Sequence, residues 1–140
     1  MISAANADSI AIEGHGTIDG NGAKFFTGKG DNTGPNQNSA DGYFDRPHLI
    51  VFYRCKNVRM RDAFLTASAY HCVRILECER VNFDGVRIHN RVNKNNDGFH
   101  FNSCRYVHLT NCDVACQDDA CALFGSNQFV TVTNSTFSTR

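Results

Sequence analysis

Residues 50–65 read I-V-F-Y-R-C-K-N-V-R-M-R-D-A-F-L, residues 73–88 read V-R-I-L-E-C-E-R-V-N-F-D-G-V-R-I, and residues 99–114 read F-H-F-N-S-C-R-Y-V-H-L-T-N-C-D-V. Laid over one another on Cys55, Cys78 and Cys104, they agree in residue class at almost every second position. A fourth copy has Asn127 as its anchor, and successive anchors are 23, 26 and 23 residues apart. Three residues after the anchors stand Val58, Val81, Val107 and Val130; five after stand Met60, Phe83, Leu109 and Val132. Eight after stand Ala63, Val86, Cys112 and Ser135; ten after stand Leu65, Ile88, Val114 and Phe137. Before the anchors the columns continue as Phe52, Ile75, Phe101 and Phe124, and as Ile50, Val73, Phe99 and Ala122.

Apolar columns spaced by two mark half-buried strands, because successive strand side chains point to opposite faces. Each repeat therefore offers about three short strands joined by turns, and no segment has a helical period. Strands recurring at this interval without crossover helices stack in parallel as an all-β solenoid, a parallel β-helix whose expected hand is right. Sandwiches and propellers also use many short strands. Propeller repeats are longer, about 40 residues, and a sandwich does not hold residue class at fixed offsets through four units.

Working outward, S-I-A-I-E-G-H-G-T-I-D-G opens the chain as a weaker copy, with Ile10, Ile12 and Ile18 in strands. Residues 21–45 break the pattern and read as a long loop, either functional or a solvated insertion. The chain of 140 residues thus reads as one partial solenoid domain, with regular coils from about 46 onward. Its net charge of zero argues against nucleic acid and anionic membrane as partners. No apolar run is long enough to span a bilayer, and the first residues lack the pattern of a signal peptide.

Seven cysteines are an odd number, so they cannot all pair within the chain. Cys55, Cys78 and Cys104 stack in one column, close enough for a disulfide, but read as a row of buried, mostly reduced thiols packing as small hydrophobes. A straight ladder cannot surround a tetrahedral ion, and no metal or other cofactor is expected.

Acidic residues interrupt the repeat at N-K-N-N-D-G, residues 93–98, and at C-Q-D-D-A-C, residues 116–121. Stacking brings Asp97 beside Asp118 and Asp119. Clustered like charges disfavour ionisation, so at least one carboxyl should titrate high, which separates an acid from bases as glycoside hydrolysis requires. Turn chemistry explains Asn-Asn-Asp-Gly equally well, and a calcium site would use the same carboxylates. Outward positions on the neighbouring strand offer Arg74 and His100, and His71 shares the offset of Asp97. All three are candidates for contact with an acidic sugar. His15 and His48 read as structural. Gly98 permits either close approach of a sugar or a turn.

Three segments resemble the polygalacturonase family, glycoside hydrolase family 28: G-H-G-T-I-D-G-N-G at 14–22, N-N-D-G-F at 95–99 and Q-D-D-A-C-A-L at 117–123. R-P-H-L-I-V-F at 46–52 is also similar. The resemblance implies a pectin-degrading inverting hydrolase, with Asp118 as general acid and Asp97 and Asp119 activating water. It also implies secretion or a periplasmic location, a galacturonic acid-containing polysaccharide as substrate, and a monomer. A lyase or epimerase on this scaffold and a non-catalytic carbohydrate-binding solenoid are the rival readings. Asn96 stands where the family has Thr, and Gln117 where it has Gly. The family's later G-H-G and R-x-K segments have no counterpart here: either they lie beyond a cut or this branch of the family lacks them. The family's fold usually begins before G-T-I-D-G and runs several coils past the acid pair, so both ends read as cuts, and the chain alone is expected to be inactive.

Overall fold

The computed structural model describes residues 1–25 and 46–140. Among the described residues, fifteen short strands wind through three five-stranded, wholly parallel sheets. The first sheet contains β1 (Ile2–Ala5), β4 (Ile50–Tyr53), β7 (Val73–Leu76), β10 (Phe99–Asn102) and β13 (Cys121–Phe124). The second contains β2 (Asp8–Glu13), β5 (Lys56–Arg61), β8 (Glu79–Asp84), β11 (Arg105–Thr110) and β14 (Gln128–Thr133). The third contains β3 (Thr17–Asp19), β6 (Phe64–Thr66), β9 (Arg87–Asn90), β12 (Asp113–Cys116) and β15 (Thr136–Ser138). Each coil contributes one strand to each sheet, which is a parallel β-helix. The long loop expected over 21–45 lies mostly outside the described residues; at its start, Gly22–Phe25 form one turn of 3₁₀ helix.

The columns are registers of the sheets. Val58 pairs with Val81, Val81 with Val107 and Val107 with Val130. Leu65, Ile88, Val114 and Phe137 align in the third sheet. The opening copy joins them, with Ile10 beside Val58 and Ile18 beside Leu65. Inside, Phe83, Phe99 and Phe101 pack ring to ring at the centre of the core.

Turns repeat as strictly as strands. Arg54, Glu77 and Ser103 have φ of 52°, 51° and 55°, and each precedes an anchor cysteine. A second left-handed position lies two residues after each anchor, at Asn57, Arg80, Tyr106 and Phe129. Non-glycine residues accept this backbone, normally disfavoured for an L-residue, because the parallel ladders on either side fix it.

One column differs from expectation. In the last coil Phe99 pairs with Cys121, His100 with Ala122 and Phe101 with Leu123, rather than with Ala122, Leu123 and Phe124. The turn from β13 to β14 holds three residues, where the earlier coils hold two. Gly125, at φ 67°, takes up the extra residue. Phe124 consequently leaves the core column and stacks on His100, at 4.8 Å between ring centroids.

All seven cysteines are free, and six are buried. The anchor thiols follow the winding of the coil: Cys78 Sγ donates to Leu76 O and Phe52 O and receives the Cys55 N–H at 3.3 Å. Asn127 replaces the thiol in the last coil, its Oδ1 accepting the Cys104 N–H at 2.9 Å.

Candidate active site

The connections from the third sheet back to the first are the irregular part of each coil: residues 67–72, 91–98 and 117–120. Their backbones are held by buried amides. Asn96 Oδ1 accepts the Val92 and Asn93 N–H groups, and its amide donates to Ser68 O and Tyr70 O. Asn90 donates to Asp97 O and Tyr70 O and accepts the Ser68 N–H. Asn93 reaches Gly22 O and Ala69 O, and Arg46 donates to Lys94 O at 2.6 Å. Buried polar groups must be paired, and here most of the pairings join two coils. The Asn found at position 96 thus has a structural task that uses its whole amide.

Backbone bonds from Leu49 N to His71 O, Cys72 N to Asp97 O and Gly98 N to Asp119 O set the register here. They stack His48, His71, Asp97 and Asp119 in one line across four coils. Gly98 serves this stacking rather than sugar access. A β-carbon there would lie 2.5 Å from Val114 Cγ1 and 2.6 Å from Ala120 O, so any side chain would push the Asp119 turn away.

Asp97 is buried, with its Oδ2 2.8 Å from His100 Nδ1 and 3.5 Å from His71 Nε2. Burial pushes its carboxyl above the usual range; His100 partly opposes this, and the charges of Asp118 and Asp119 add to it. The raised carboxyl expected from the cluster is therefore Asp97. Asp118, half-buried, accepts the Asn95 amide on Oδ2 at 3.2 Å, and Asp119 is exposed. Both lie between β12 and β13, outside strand geometry, so the alternation of strand side chains does not apply to them.

Arg74 projects from β7 and donates to His48 Nε2 at 2.9 Å. Burial, with Arg74, His100 and Arg46 nearby, lowers the His48 pKa to about 4. His71 is pushed down to about 2, chiefly by burial and then by the neighbouring His100 and His48. His48 was expected to be structural, but it belongs to this cluster. It stands seven residues before Cys55, the offset that His71 and Asp97 hold before their own anchors, and that offset could have found it. His15 is exposed, away from these contacts.

His71, Asp97 and His100 also bring three metal-ligating atoms within 4.8 Å of one another. The two imidazoles stack with only 15° between their planes. The shortest contact in the group is the direct hydrogen bond between His100 Nδ1 and Asp97 Oδ2, at 2.8 Å.

The profile of Glycosyl hydrolases family 28 matches residues 1–139. The chain belongs to glycoside hydrolase family 28. It is 28% identical over 144 residues to a polygalacturonase of Fusarium fujikuroi, covering 93% of this chain and 36% of that protein. It is likewise 28% identical over 127 residues to an exopolygalacturonase of Platanus acerifolia, covering 90% of this chain and 32% of the relative. The fold matches that of an exopolygalacturonase from Thermotoga maritima with a TM-score of 0.65 and 20% identity, over 99% of this chain and 42% of that structure. The chain spans about a third of the length of these curated family 28 relatives. Among the described residues no helix is long and apolar enough to cross a membrane.

Proposed function

We propose that the full-length family 28 protein hydrolyses α-glycosidic bonds in galacturonic acid-containing pectic polysaccharide, with inversion at the anomeric carbon. The observation that carries this reading is the buried Asp97 carboxyl, raised in pKa and set against Asp118 and Asp119 from the next coil. Asp118 is the general acid. The Asn95 amide occupies its Oδ2, which leaves Oδ1 to carry the proton to the leaving oxygen. Asp97 and Asp119 hold and activate the water; a raised pKa makes Asp97 the stronger base once ionised. Arg74 meets the sugar carboxylate, while His71 and His100 lie in the floor beneath it. The protein acts outside the cytoplasm, where its polymer is found, and as a monomer.

Product analysis on polygalacturonate tests this. New reducing ends without absorbance from an unsaturated sugar support hydrolysis. Unsaturated product would mean a lyase, and no product with retained binding would mean a carbohydrate-binding solenoid.

A further inference from the structure

We infer that His100 and His71 are a positioning pair for Asp97: His100 hydrogen-bonds Oδ2, His71 lies beside the same oxygen, and Oδ1 is left to take the proton of the attacking water. This rests on the reading of Asp97 as a water-activating base.

The rings are not free to serve a sugar directly. His71 is sandwiched between Tyr70 at 4.1 Å and His100 at 4.3 Å. His100 is sandwiched between His71 and Phe124, the latter nearly parallel at 5°. Both residues are buried, and with both faces of each ring covered neither can stack on a pyranose. What the stack leaves available is a nitrogen edge, and both rings bring one beside the same oxygen: His100 Nδ1 hydrogen-bonds it at 2.8 Å and His71 Nε2 lies 3.5 Å from it.

The tautomers follow from the same contacts. His71 Nδ1 is buried without a hydrogen-bond partner among the described residues. A neutral imidazole carries one proton, and placing it on Nδ1 would bury a donor with no acceptor while leaving Nε2 to face a carboxylate lone pair to lone pair. The proton therefore sits on Nε2, facing Asp97. A second proton is opposed by burial and by His48, His100, Arg74 and Arg46 around it. On the other side Asp118 and Asp119 face Asp97 from the next coil. The His100 hydrogen bond lowers the Asp97 pKa against burial and these two charges, keeping more of the base ionised at a given pH.

Two substitutions at one position separate the ring stack from the hydrogen bond. In the full-length protein His100→Phe keeps a ring between His71 and Phe124 but removes the donor; His100→Asn removes the ring but returns an N–H near the place of Nδ1. The pair predicts that His100→Phe lowers kcat about 10- to 100-fold with KM little changed, as misplacement of a reacting group does. It also moves the acidic limb of the kcat–pH profile to higher pH, because the contact that lowers the Asp97 pKa is gone. His100→Asn recovers most of kcat and returns the limb toward its original position, and His71→Gln, which keeps a donor at the Nε2 place, outperforms His71→Phe. A rise in KM at constant kcat in His100→Phe would make these residues sugar contacts and overturn the inference. So would an active His100→Phe beside an inactive His100→Asn, or an unmoved limb in both. Full turnover by Asp97→Asn would instead sink the base assignment on which the pair depends.

Discussion

Each coil of this solenoid turns twice next to its first sheet, and the two turns differ in kind. The turn from the first sheet to the second is Arg54–Cys55, Glu77–Cys78 and Ser103–Cys104: two residues, the first left-handed and the second a buried thiol. The turn arriving at the first sheet is 67–72, then 91–98, then 117–120, so its length changes at every coil. A turn that repeats is held by its own copies above and below, and its side chains can be small and inert. A turn that changes length loses that support and must be tied by specific polar groups. Those ties are Asn90, Asn93, Asn96 and Arg46, and among them sit His71, Asp97, Asp118 and Asp119. The irregular side is where polar and titratable groups are tolerated, so it is the side on which this family can place chemistry.

The sharpest way to break this comparison is at Asp118. In the full-length protein Asp118→Asn keeps the Asn95 contact geometry but cannot deliver a proton, and turnover on polygalacturonate should fall about 10²- to 10⁴-fold. The melting temperature should hardly move, since Asp118 is half-buried and holds no strand. Wild-type turnover in this variant would remove the acid assignment and with it the claim that the irregular turns are the reactive side.

The ties themselves come next in size. Asn96→Ala strips partners from the N–H groups of Val92 and Asn93 and from the carbonyls of Ser68 and Tyr70, although Tyr70 O keeps Asn90. Leaving several buried backbone groups short should cost about 2–4 kcal/mol in a denaturant titration. Turnover should fall too, because the same turn carries Asp97. A variant that lost stability but kept full kcat would show that the turn's fixation and the site's geometry are independent.

The comparison also explains what could be read from the sequence. The regular turn and strand columns were legible as fixed offsets from Cys55, Cys78 and Cys104, since burial repeats wherever the coil length does. The last coil slipped by one in the first sheet because Gly125 lengthens a turn before Asn127, and an alignment on Asn127 places the extra residue invisibly. That slip hid two things: Asp119 stands in line with Asp97, and Phe124 faces outward onto His100. The three carboxylates were legible through motif resemblance and stacking together. The part played by Asn96 was not, since its partners at Ser68 and Tyr70 belong to the preceding coil's irregular turn, where no offset rule applies. Gly98 stayed open between sugar access and a turn for a related reason: what it makes room for is Val114 and Ala120 inside the stack, contacts that only the folded coils create.

The smallest effect belongs to the regular turn, and its smallness is the point. Cys78→Ala removes one buried sulfur and the acceptor of the Cys55 N–H, while the neighbouring copies at Cys55 and Cys104 remain. Loss of that volume and one weak contact should cost about 1–2 kcal/mol and leave kcat and KM as they were. Burial pushes the Cys78 thiol up to about 12, so at neutral pH it stays protonated. Since the thiolate is the reactive form, a thiol reagent should label it slowly in the folded protein and fully once it is unfolded without reductant. Seven labelled thiols per chain after unfolding would agree with a ladder of free cysteines. Fewer would mean that some pair by oxidation, and the regular turn would then be held by a covalent bond rather than by repetition. A drop in kcat for Cys78→Ala comparable to that of Asn96→Ala would dissolve the distinction altogether, because both turns would then be setting the geometry of the site.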